Sequence, residues 1–115
     1  MRRGNKRKFG RPRKQRQALE KGLVTALIEH GKITTTEAKA KLLRVVADRL
    51  VSTARKDTLA SRRQLRQILG EKAVQKLTRE VAPSLSSRQG GYTRLTRLGQ
   101  RNSDGAAMTV VEFIL

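Results

Sequence analysis

The chain has 115 residues and carries 27 Lys and Arg against 9 Asp and Glu, a formal net charge of +18, with no Cys, one His and 3% aromatic residues. That length holds one domain with a modest core, not two. Lack of Cys excludes a disulfide scaffold, a zinc ribbon and a thiol nucleophile, one His excludes most imidazole metal sites, and no apolar run approaches the roughly eighteen residues of a membrane span.

Residues 1–16, MRRGNKRKFGRPRKQR, hold nine cations and no acid: Arg2, Arg3, Lys6, Arg7, Lys8, Arg11, Arg13, Lys14 and Arg16. Repulsion at this density, with Gly4, Gly10 and Pro12 interrupting any helix, predicts a disordered, extended arm over residues 1–14 that a polyanion neutralises. Tails that only aid solubility are more often acidic or mixed. A secretory signal needs an apolar stretch behind the basic one, and a mitochondrial transit peptide needs more Ser and fewer breakers.

From Gln15 to His30 the pattern is helical. Leu19, Leu23, Ala26 and Leu27 form a stripe, Val24 and Ile28 widen it, and its breadth predicts the central helix of the core. Gly31 ends it, and Lys32 to Thr34 is a short β-prone stretch. Thr34 and Glu37 have capping-box spacing and open a second helix that runs to about Lys56. Its buried stripe is Leu43, Val46, Ala47, Leu50 and Ala54; its solvent stripe is Lys41, Arg44, Asp48, Ser52 and Arg55. Asp57 or Thr58 caps a third helix ending near Leu69, with Leu65, Ile68 and Leu69 inward and Arg62, Arg63 and Arg66 outward. After Gly70 a fourth helix carries Val74, Leu77 and Val81 until Pro83 stops it.

Beyond a Ser/Gly connector, Tyr92 to Leu98 and Met108 to Leu115 read as two strands around a polar loop at residues 99–105. An isolated hairpin is marginal in water, so it must pack on the helices and can pair with the stretch at Ile33 as a third strand. The fold class is α+β: about four helices with a small, mostly antiparallel sheet of two to three strands, one domain over residues 15–115 behind the arm.

No catalytic arrangement emerges. The Gly90-Gly91 pair lacks the Lys and Ser/Thr of a phosphate loop, the carboxylates are scattered, and His30 suits a helix C-terminus better than proton transfer. No metal site and no cofactor are expected. Basic residues do group: Arg62, Arg63 and Arg66, and then Arg88, Arg94, Arg97 and Arg101, the latter set without an acid between Ser87 and Asn102. Unbalanced cations attract phosphate. With so few rings, of which Tyr92 could stack on a base or pack at the sheet edge, base stacking on a sheet is excluded, and recognition through backbone phosphate and 2′-hydroxyl groups of folded RNA is expected. A rival reading makes the first two helices a helix-turn-helix of a nucleoid DNA-binding protein, although the connector is long and the second helix mixed in charge. Surface binding to a membrane is weaker still, with one bulky apolar residue in the arm.

The order and spacing of several motifs carry a more specific resemblance. Gly10-Arg11, Ala18-Leu19, Leu27-Ile28-Glu29-His30-Gly31-Lys32-Ile33-Thr34-Thr35-Thr36, Ala38-Lys39-Ala40-Lys41, Leu43-Arg44, Arg62-Arg63, Val81-Ala82-Pro83, Arg88, Gly90 to Leu95, and the stretch from Asp104 and Met108 to Leu115 resemble the bacterial-type large-ribosomal-subunit protein seventeen family along almost the whole chain. The resemblance implies a mixed fold without catalytic activity. It also implies a structural role in the ribosome, supporting large-subunit assembly in the cytoplasm or an organelle. The implied partners are large-subunit ribosomal RNA and neighbouring ribosomal proteins, with no membrane and no small-molecule substrate. Carried over to this chain, the arm cations, Lys39, Lys41, Arg62, Arg63, Arg94 and Arg101 face RNA.

Overall fold

The computed structural model describes residues 13–85, 87 and 90–114; the expected extended arm lies outside them up to residue 12. The elements run α1 (Arg13–His30), β1 (Lys32–Thr36), α2 (Glu37–Arg55), α3 (Leu59–Ile68), α4 (Glu71–Lys76), β2 (Thr93–Gln100) and β3 (Ala107–Phe113). The α4 rod continues through a π-helical turn at Leu77–Val81 and a last turn at Ala82–Ser84. Helices followed by a small antiparallel sheet make the α+β class expected from the sequence.

The core centre is α2, not α1. Seven residues of α2 are buried: Ala40, Leu43, Val46, Ala47, Leu50, Val51 and Ala54. Only Val24, Leu27 and Ile28 of α1 are. Spacings of three and four place the α2 set on one broad stripe, and the helix touches α1, α3, the α4 rod and all three strands. Of the stripe expected in α1, Leu27 is buried and Leu19, Leu23 and Ala26 are half-buried, while Val24 and Ile28, expected at its edge, are buried beside Leu27.

Gly31 closes α1 at φ +82°, a left-handed conformation that favours glycine, and its N–H donates to the Leu27 carbonyl at 2.7 Å. The carbonyl of Gly31 then accepts from the Phe113 N–H at 3.2 Å, so the turn that ends α1 also sets the register of β1 on β3. The third strand expected at Ile33 is present and is longer than expected. It runs to Thr36, pairing Lys32 with Glu112 and Thr36 with Met108. Thr34 therefore belongs to a strand and caps nothing. The N-cap of α2 is Thr36, without a side-chain cap bond. Three consecutive β-branched threonines favour pairing over helix initiation.

The sheet order is β1-β3-β2, antiparallel throughout. Alternation sends Thr109, Val111 and Phe113 of β3 toward the helices with Ile33 of β1 and Thr93 and Leu95 of β2. Glu112, Val110 and Arg94 share the opposite, solvated face. A register shift between Arg97 and Gly99 leaves Leu98 without a cross-strand partner, and it is 59% exposed.

The cap of α3 is Thr58. Its Oγ1 accepts from the Ser61 N–H at 3.1 Å, while the Ser61 Oγ accepts from the Thr58 N–H at 3.0 Å. Asp57 before it adopts φ +49°, which Asp tolerates, and turns the chain between α2 and α3. The buried stripe of α3 is Ser61 and Leu65, extended by Leu69, each four residues apart; Ile68 falls beside it and is exposed, contrary to expectation. Pro83 does not stop α4 where expected: the rod reaches Ser84. The i to i+5 bonding of Leu77–Val81 widens the turn N-terminal to Pro83, where the ring would otherwise crowd a carbonyl.

Candidate nucleic-acid interface

The first six arm cations (Arg2, Arg3, Lys6, Arg7, Lys8 and Arg11) and Arg88 lie outside the described residues. Arg13, Lys14 and Arg16 do not: they form the first turn of α1, so the basic arm runs directly into a basic helix end. Arg, Lys, Gln, Ala and Leu are all good helix formers, which carries α1 two residues beyond the start read from the sequence.

The remaining candidates fall on α2, α3 and the hairpin, and folding changes the electrostatic picture. The stretch from Ser87 to Asn102 lacks acids, yet in space its arginines meet carboxylates from elsewhere. Arg94 Nη1 lies 3.6 Å from Glu112, its register partner on the solvated face. Arg97 Nη2 lies 3.1 Å from Glu37 at the start of α2, and Lys41 approaches the same carboxylate at 3.6 Å. Arg101 forks onto Asp104 with Nε at 3.0 Å and Nη2 at 2.7 Å. On α3, Arg62 donates to Asp57 at 2.6 Å and Arg66 to Glu71 at 3.0 Å. The expectation that these cations lack nearby acids is thus corrected: the fold joins Arg94 and Arg97 to acids distant in the chain, while Asp57, Glu71 and Asp104 stand only three to five residues from their partners. Arg63 is exposed and makes no ion pair among the described residues, and Lys39 is half-buried in the first turn of α2.

These pairs shift titrations in the expected sense. The Arg101 hydrogen bond, with the Ala106 N–H, holds the Asp104 carboxyl down to about 2, and Asp104 raises Arg101 in return. Glu71 is lowered first by its bond from Arg66. Asp48 moves the other way: burial raises it, against bonds from the Tyr92 N–H and the Thr93 hydroxyl and the charge of Arg44.

Tyr92 is removed from the interface. It is 2% exposed, among the largest buried side chains, and its hydroxyl accepts from Arg55 Nη1. The Arg55 guanidinium carbon lies 5.6 Å from the ring centroid. One residue ahead of β2, the ring enters the helix–sheet interface, where burial of so large an apolar surface outweighs any exposed role.

Three basic grooves include residues that sequence reasoning missed. Lys21 and Arg49 flank a groove of about 400 Å³ among α1, α2 and α3, with exposed Ile68 on its wall. Arg79 joins Arg62 and Arg66 over a groove of about 290 Å³ between α3 and the α4 rod. Arg44 joins Lys41 and Arg97 in a groove of about 550 Å³ between α2 and the sheet. The available signal was their place on the flanks of amphipathic helices, which sequence alone does not bring together. No group of His and carboxylates suited to a metal exists among the described residues, and no described helix is long and apolar enough to cross a membrane. The α1–α2 connection is also not a helix-turn-helix, because the sheet-paired strand β1 fills it.

The family described as ribosomal protein L17 matches residues 19–114 of this chain. The large ribosomal subunit protein bL17 of Thermoanaerobacter sp. (strain X514) is 45% identical over 109 residues, covering 94% of this chain and 97% of that protein. The protein of the same name from Carboxydothermus hydrogenoformans is 44% identical over 108 residues, 93% of this chain and 96% of that one. That from Clostridium botulinum (strain Loch Maree / Type A3) is 43% identical over 109 residues, 94% and 96% respectively.

Proposed function

We propose, for a chain that belongs to the ribosomal protein L17 family, a structural, non-catalytic role in the large ribosomal subunit, exerted by binding folded large-subunit ribosomal RNA. The arm (residues 1–14) threads between RNA helices while the single domain (residues 15–115) docks through the start of α1, Arg63, and the cations of α2, α3 and the hairpin. Neighbouring ribosomal proteins take the rest of its surface, and its place is the ribosome of the cytoplasm. This binding supports assembly of the subunit.

The observation that carries this reading is the surplus of charge. Residues 13–115 hold 21 Lys and Arg against 9 acids, before the six cations ahead of them are counted. No internal pairing balances that excess; polyphosphate does. Phosphate contacts then position the domain, and A-form geometry with 2′-hydroxyls supplies discrimination that three rings cannot. The test is affinity for transcribed large-subunit RNA and for random duplex DNA across a salt series, with sedimentation in sucrose gradients. If the protein neutralises roughly 6–10 phosphates, affinity falls by about 10³–10⁵ between 50 and 200 mM salt. RNA is preferred at every salt, and the protein travels with large subunits. Equal affinity for DNA with migration in the nucleoid, or binding indifferent to salt, refutes the proposal.

A further inference from the structure

The groove between α2 and the sheet differs from the other two in its floor and walls. Lys41, Arg44 and Val45 line one side, Leu95 and Arg97 the other, and Thr109 of β3 lies beneath. Its one carboxylate, Glu37, is held by Arg97 and Lys41, which fixes Arg97 across the gap from strand to helix. The next acid along α2, Asp48, is engaged by Thr93 and is not part of the walls. Val45 is 54% exposed, an unusual outlay of apolar surface on the helix that centres the core. Thr109, in contrast, is 1% exposed, and its Oγ1 is buried with no hydrogen-bond partner. Buried hydroxyls are normally satisfied; this orphan is closed off just beneath the floor of a cationic groove, so a polar ligand group or one water completes it when the side chains above it part.

We infer that this groove seats a short sugar–phosphate stretch of RNA, a deepening that rests on the RNA-binding reading above. Phosphate oxygens lie between Arg44 and Arg97, the ribose lies against Val45 and Leu95, and its hydroxyl side faces the floor at Thr109. Charge selects the occupant: three cations against one carboxylate suit a polyanion, whereas the cores of protein–protein interfaces are depleted in charge. The volume of about 550 Å³ falls within the roughly 300–1,000 Å³ of sites that hold small ligands, enough for a nucleotide rather than a duplex.

The test uses the full chain and transcribed large-subunit RNA. A photoreactive Val45→p-benzoylphenylalanine variant, assembled into large subunits and irradiated, is expected to crosslink to RNA. Arg44→Gln is expected to weaken RNA binding roughly ten-fold, the loss of one charge-assisted contact, and to lower the salt slope by about 1. Thr109→Val removes the orphan hydroxyl at nearly constant shape, so the free protein melts higher while its RNA affinity falls. Melting curves of each variant separate misfolding from lost contact. If the parent chain binds RNA but Val45 crosslinks only to protein or to nothing, or Arg44→Gln binds RNA like the parent, the groove is not an RNA seat. If the parent itself does not bind RNA, the reading beneath the inference fails as well.

Discussion

Replacing Tyr92 separates a ring that holds the fold from a ring that touches RNA. Tyr92 is 2% exposed and packs where the sheet meets α2, with its hydroxyl accepting from Arg55. Truncating a buried aromatic to Ala costs about 3–5 kcal/mol through lost burial and the cavity left behind. A domain of this size has about 5–15 kcal/mol of stability in total, so Tyr92→Ala removes about a fifth of it or more, a fall in Tm of roughly 10–20 °C. Tyr92→Phe keeps the ring and removes one bond to a charged donor. Because the Arg55 side chain reaches water, that bond is worth about 1 kcal/mol, at the low end for its kind. Arg55→Gln costs more, because it also removes the guanidinium 5.6 Å from the ring centroid, and in the double variant the shared hydrogen bond is lost only once, so the two losses do not fully add. Urea denaturation followed by circular dichroism gives the stabilities, and RNA binding is measured on the folded fraction at low temperature. A Tyr92→Ala protein that melts like the parent yet loses RNA affinity refutes the argument, because it would place the ring at the RNA surface.

Other perturbations read other parts of the molecule. Thr58→Ala removes one half of the reciprocal cap with Ser61 and lowers the urea midpoint by an amount worth about 1 kcal/mol, with RNA affinity intact. The Asp104 carboxyl, followed by ¹³C NMR, titrates at about 2, and Arg101→Gln raises it toward the ordinary carboxylate range while the Ala106 N–H still holds it partly down. Because its folded value lies below the unfolded one of about 3.9, its stabilising contribution is complete above that pH and is lost as pH falls toward about 2. Glu37→Gln releases Arg97 and Lys41 together. Affinity for both RNA and duplex DNA rises as an acid is lost, while the preference for RNA at equal salt narrows because Arg97 is no longer held in place. An unchanged preference counts against a positioning role for Glu37.

The parts of the fold legible in the sequence are those with strong periodicity. The α2 stripe of Leu43, Val46, Ala47, Leu50 and Ala54 is buried as its spacing requires, and the strand at Ile33 joins the hairpin because a two-stranded sheet alone leaves too much surface open. Boundaries were less legible where two local rules compete. Thr34 satisfies the spacing of a capping box, but Thr34, Thr35 and Thr36 also pair well, and β3 supplies a long-range partner that no local pattern reveals. Ile68 and Tyr92 failed for a related reason: the angular width of a buried stripe, and the side on which the chain enters a strand, depend on neighbours distant in sequence. The candidate site was legible as charge and not as geometry. The arginines of α3 and the hairpin are found from sequence, but the partners of Arg94 and Arg97 and the convergence of Arg44 with Arg97 come only from packing.

Those partners change how the basic surface works without changing its sign. An exposed ion pair is worth about 0–1 kcal/mol, so the five carboxylates that meet Arg62, Arg66, Arg94, Arg97, Arg101 and Lys41 add little to stability. Nor do they neutralise the domain, because the surplus of cations is fixed by composition wherever each acid sits. What a carboxylate does at this range is orient a long side chain that otherwise samples many rotamers. A planar guanidinium forked onto an acid, as Arg101 is on Asp104, keeps donors free for a phosphate on its outer edge. Ordering the side chain in the free protein lowers the entropy lost on binding. In this surface the scarce acids therefore act as positioning groups for arginine, and the long-range attraction comes from the excess that no acid answers.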